Sequence, residues 1–118
     1  MTIQSFKDLL VWQKAMRLVK LVYILTDELP NKEEFGLKSQ MRRAAVSIPS
    51  NIAEGRRRGT KKDFIQFLRI ASGSLAEIET QLLLSQDLYK TNPAPILESI
   101  QEIGRMLNGL ISKLKPET

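Results

Sequence analysis

Ser47-Ile48-Pro49-Ser50-Asn51-Ile52-Ala53-Glu54-Gly55-Arg56-Arg57-Arg58-Gly59 is the stretch on which the fold turns. A proline interrupts an otherwise helical pattern, Asn51 and Glu54 follow within about a turn, and a cationic segment stands between two glycines. Around it, Leu37, Met41, Ala45, Ile48 and Ile52 keep a three-and-four spacing that runs through Pro49 without a slip. That phase predicts one kinked helix beginning near Leu37, not two helices parted by a turn. Pro49 supplies no N–H and its ring presses on the carbonyl of Ala45, so Ser50 or Asn51 is expected to offer a side-chain donor to carbonyls freed there. An ordinary solvent-facing pair is the alternative. Gly55 is placed to be the left-handed residue ending this helix after Glu54, and Gly59 relaxes the return.

Downstream, Thr60 is the predicted cap of a third helix, with Asp63 at its third position. Phe64, Phe67, Leu68, Ala71, Leu75, Ile78, Leu82 and Leu88 form its expected inner face, which runs to about Tyr89. Gly73, in a patch of small residues, is read as permitting close approach of a neighbouring backbone, because a mid-helix glycine otherwise loses about 1 kcal/mol relative to alanine. A ligand-binding patch is the alternative there. Asn92 and Pro93 mark the start of a fourth helix, which Pro95 could shift, with Ile96, Ile100, Ile103, Leu107, Leu110, Ile111 and Leu114 inward.

Upstream, a first helix is predicted from Ser5 to about Leu29, capped by Ser5 with Asp8 three residues on. Leu9, Trp12, Met16, Val19 and Tyr23 make one apolar face, and Leu18, Leu21, Val22 and Leu25 a second. A helix apolar on two sides implies neighbours from another subunit. Pro30 and Asn31 end it. With connections this short, the four helices are expected to alternate in direction as an all-α, antiparallel up-down-up-down bundle, one domain over residues 1–118.

Composition narrows the chemistry. The 118 residues include no cysteine and no histidine, which removes disulfides, thiolate or histidine metal sites, thiol nucleophiles and the usual general base. No metal, cofactor or catalytic residue is therefore expected, and the protein is read as non-enzymatic. Glu54 is expected to hold Arg57, Arg58 or an amide in position rather than to move protons. The glycines at 55 and 59 do not form a P-loop, which needs a Gly-Lys-Ser/Thr step after a strand. The polar start, with Lys7 and Asp8 before any apolar run, does not read as a signal peptide, and Leu21–Leu25 is too short to span a bilayer. A soluble, cytoplasmic protein without membrane contact is the expectation.

The net charge of +5 is unevenly spread. From Lys38 to Arg69 nine basic residues face only Glu54 and Asp63, a net of +7, which leaves −2 for the rest. Arg56, Arg57, Arg58, Lys61 and Lys62 crowd one helix-to-helix corner, and Arg42, Arg43 and Arg69 extend it. Free N–H groups at the start of the third helix add to these cations as an anion site. With few aromatics to stack bases, backbone contacts to structured RNA fit best. An acidic protein partner, or a merely solvated face, is the competing reading.

Leu10-Val11-Trp12-Gln13-Lys14-Ala15, Leu37 with Ser39-Gln40-Met41-Arg42-Arg43-Ala44-Ala45, the Ser47–Gly55 block, and Phe64, Phe67-Leu68, Ala71, Gly73-Ser74 and Glu77 together resemble the 23S rRNA intervening-sequence protein family. The resemblance covers nearly the whole chain. It implies a small four-helix bundle, assembly of similar proteins as rings of five, and kinship with the basic pentameric accessory protein of diversity-generating retroelements, which works with a reverse transcriptase and nucleic acid. Many relatives carry an aromatic or glycine where this chain has Arg56-Arg57-Arg58, so a contact made by such an aromatic does not carry over. Two functions follow as expectations: an oligomeric RNA-associated protein contacting phosphates through its basic corner, or an assembly scaffold without nucleic acid.

Overall fold

The computed structural model describes residues 5–115. Four helices make up the fold, α1 (Leu10–Thr26), α2 (Leu37–Arg57), α3 (Lys61–Tyr89) and α4 (Ala94–Leu114), with short 3-10 turns at Phe6–Asp8 and Asn31–Glu33. Each helix packs on the two that adjoin it in a four-membered circuit, and α2 lies most extensively against α3. Cross-contacts reverse along the α2–α3 and α1–α2 pairs. Gly55 meets Phe67 and Ser47 meets Ser74, while Arg42 meets Thr26 at one end of α1 and Arg57 lies over Phe6 at the other. The result is a four-helix bundle about 48 Å long and 23 Å across.

The core follows the sequence stripes of three helices. Met41, Ala45, Ile48 and Ile52 of α2, Leu68, Ala71, Ile78 and Leu82 of α3, and Ile103 and Leu107 of α4 are completely buried. Each large aliphatic among them contributes about 1.5–3 kcal/mol by leaving water. Helix α3 starts as read, with Thr60 Oγ1 accepting the Asp63 N–H at 3.1 Å. Leu88 is a correction: it is 62% exposed, and Ser85 takes the inner position, where its hydroxyl meets Thr91 Oγ1 at 2.7 Å. The Ser85 hydroxyl also bonds the Leu82 carbonyl at 2.8 Å, so a small polar pair is satisfied at this buried end of α3.

Helix α1 departs from expectation in start and phase. Ser5 caps the first 3-10 turn, accepting the Lys7 N–H at 3.2 Å, and Leu9 is extended (φ −75°, ψ 123°), so α1 begins at Leu10. The break folds Phe6 back onto Trp12, edge to face at 5.4 Å. The core face is Val11, Ala15, Leu18, Val22 and Leu25, while Met16 and Tyr23 of the predicted stripe are exposed and Trp12 and Val19 half-buried. Two apolar stripes lay side by side in the sequence. Small Ala15 and the aliphatics fill the centre, and the aromatic rings take the shoulder, where their polar edges stay wet.

Helix α2 continues unbroken through Pro49, which is buried. Asn51 supplies the expected side-chain donor, but to the carbonyl of Ser47 (2.8 Å) and its Oγ (2.9 Å), not to that of Ala45. Ser50 points outward. Ser47 Oγ also meets Ser74 Oγ at 2.8 Å, tying α2 to α3 at one register. Gly55 does not end the helix. It is buried within it, and a methyl there would lie 2.6 Å from Phe67 Cβ. The left-handed residue is Gly59 (φ 91°), two residues past the helix end. Gly73 is exposed, with nothing within 4 Å of an added Cβ, so no other helix of the same chain approaches it closely.

Candidate nucleic-acid interface

The end of α2 and the start of α3 set the charge of one end of the bundle. Arg56 and Arg57 occupy the last turn of α2, where the partial negative charge of the helix terminus favours cations. Arg58 follows as the helix cap, Gly59 reverses the chain, and Lys61 and Lys62 open α3. That second placement runs against the helix dipole, since lysines at a positive helix end each cost about 0.3–1 kcal/mol at low salt. Asp63 offsets part of it. An anion seated at this end would remove the penalty.

Two arginines of the corner, Arg57 and Arg58, are organised by aromatic rings and by Glu54. Arg58 donates to Glu54 Oε2 at 2.8 Å and lies 5.0 Å over the Phe67 ring. The carboxylate, through that hydrogen bond and then its charge, raises the Arg58 guanidinium above its ordinary value. Both groups are exposed, so the pair positions Arg58 more than it stabilises the fold. Arg57 lies 5.7 Å over Phe6, and a shallow recess between the N-terminal turn and the corner is lined by Ser5, Phe6, Arg56, Arg57 and Gly59. Ser5 and Phe6 were not read as site residues. An aromatic beside Trp12, just ahead of the first helix, was the signal that the chain could fold back here.

The remaining predicted cations separate into two groups. Arg69 is exposed seven residues after Lys62 on the same side of α3, about 10 Å along the helix, and so extends the corner. Arg43 is exposed about 20 Å away toward the other end of α2, beside Phe35, Ser39 and Val46. Arg42 is tied to α1: it donates to Thr26 Oγ1 and Asp27 Oδ1, both at 2.8 Å, and to the Tyr23 carbonyl at 3.2 Å, over the Tyr23 ring. It pins α2 to the C-terminal end of α1. The basic surface thus contracts to Arg56, Arg57, Arg58, Lys61 and Lys62 with Arg69, against Glu54 and Asp63. Of the structural positions, Gly55 lies at the α2–α3 seam, Asn51 braces Ser47, whose hydroxyl crosses to Ser74 of α3, Pro49 is buried within α2, and Gly73 faces outward.

A bundle of this kind with one cationic end defines a small, basic, all-helical protein whose charge is concentrated where two helices meet. The sequence matches the 23S rRNA-intervening sequence protein family over residues 7–109, and the chain belongs to that family. The matched span includes the Pro49 helix and the whole corner. No curated protein matches the chain. Among the described residues no helix is long and apolar enough to cross a membrane.

Proposed function

We infer that this is a non-enzymatic, cytoplasmic, RNA-associated protein that works as a homo-oligomer and holds phosphates of structured RNA, ribosomal RNA first, at the α2–α3 corner. The observation that carries this reading is the placement of Lys61 and Lys62 at the helix end that disfavours them, beside three arginines. A stable fold does not need that arrangement, and a polyanion would relieve it. Repetition of the corner in a ring, five copies by resemblance, would multiply weak contacts into useful affinity. The family name supports an RNA association, and the engagement of Glu54 with Arg58 fits a positioning role for that carboxylate.

The second reading, an assembly scaffold whose corner meets an acidic protein, is favoured by large apolar side chains exposed on α1 and α3. The two part in one experiment. Binding of a structured ribosomal RNA fragment is measured at low salt for the wild type and for the combined Arg56→Ala, Arg57→Ala and Arg58→Ala variant. The RNA reading expects measurable affinity that falls at least about tenfold in the variant; absent or unchanged binding favours the scaffold.

A further inference from the structure

Helices α1 and α3 occupy diagonal corners of the bundle, each packed on α2 and α4 and making no contact with the other. Each presents an exposed stripe with residues two helical turns apart. On α1 the stripe is Leu10, Arg17 and Ile24, with the two apolar residues 53% and 65% exposed. On α3 it is Ile70, Glu77 and Leu84, the apolar pair each 45% exposed. Both read apolar, charged, apolar at the same spacing, with opposite charge in the middle. The surrounding charge agrees. Between Leu10 and Thr26 every charged residue is basic, and between Ile70 and Tyr89 every one is acidic. Gly73, open to solvent beside the α3 stripe, leaves room for a second helix to approach.

We propose that the α1 stripe of one copy packs on the α3 stripe of the next, with Arg17 against Glu77 and Leu10 and Ile24 against Ile70 and Leu84. The occupant is a second copy of this chain because the two faces complement each other in charge and spacing. Since they lie on opposite sides of one bundle, the contact is head-to-tail and propagates around a closed assembly or along an open one. The interface rests on the self-association inferred above. It leaves Arg56, Arg57, Arg58, Lys61 and Lys62, at the bundle's end, outside the contact, with Arg69 at its border beside Ile70.

Sedimentation velocity over a concentration series tests it on the wild type, Arg17→Glu, Glu77→Arg and the variant carrying both, with circular dichroism to confirm helix content. Each single reversal sets like charges face to face, and the assembly midpoint should rise about tenfold or more; the double variant should return to within about threefold of wild type. A wild type that stays monomeric overturns the self-association reading itself. An assembled wild type that neither single reversal weakens, or that the double variant fails to restore, overturns this interface alone.

Discussion

A methyl added to Gly55 would sit 2.6 Å from Phe67 Cβ and 3.2 Å from a ring carbon of Phe64, at the place where α2 and α3 come closest to the basic turn. The helix would gain from alanine's better propensity, but Phe67 Cβ cannot move without its backbone. Gly55→Ala is therefore expected to lower stability by about 1–3 kcal/mol, read as a lower urea midpoint at unchanged slope. At the other end of the bundle, Tyr89 donates its hydroxyl to Glu33, whose second oxygen accepts the Leu37 N–H at 2.9 Å and so caps α2 in place of Gly36. The tyrosine hydrogen bond, then the Leu37 N–H, hold the Glu33 carboxyl below its usual value; the same bond, then burial, pushes Tyr89 up. The signs follow. The Glu33 contribution is complete above the ordinary carboxylate range and is lost as pH falls toward the lowered value. That of Tyr89 is complete below the ordinary tyrosine value and is lost as pH rises through the raised one. Urea midpoints of wild type and Tyr89→Phe should differ at neutral pH and converge at both extremes; a constant gap would contradict the pairing.

Among the elements, α3 carries the clearest conflict between folding and function. Replacing Lys61 and Lys62 by glutamate puts negative charge at the positive helix end, so the variant should gain about 0.5–1.5 kcal/mol at low salt, fading in concentrated salt, while losing RNA affinity. Thermal and urea unfolding across ionic strength measure the gain. The start of α3 was legible in the sequence because Thr60 and Asp63 cap it locally. The core faces of α2 and α4 were legible because each had one apolar stripe. The phase of α1 was not: with stripes through Trp12 and through Leu18 both apolar, only the neighbouring helices choose. Gly55 and Gly59 posed the same kind of problem, since either could end α2 on local grounds. Packing against Phe67 claimed the first and the chain reversal the second. Arg42 looked like part of the basic surface until Asp27 and Thr26, fifteen or sixteen residues away in sequence, came within bonding distance.

The molecule as a whole is a rod with unlike ends. One end gathers cations, and the other places Phe35, 95% exposed, and Leu88 at the surface. The basic corner was legible because its five cations are nearly contiguous in sequence, whereas the aromatic platforms under Arg57 and Arg58 depend on the folded-back N-terminal turn and on α3. If this end holds RNA phosphates, affinity must report the ions it displaces. The most direct measurement is the equilibrium constant for structured ribosomal RNA as a function of salt. With about three to five phosphates neutralised per copy, log K should fall against log salt with a slope of roughly −2 to −4, made shallower by the Arg56, Arg57 and Arg58 substitutions. A slope near zero, or one that those substitutions leave unchanged, would contradict the assignment of the α2–α3 corner as the phosphate-binding surface.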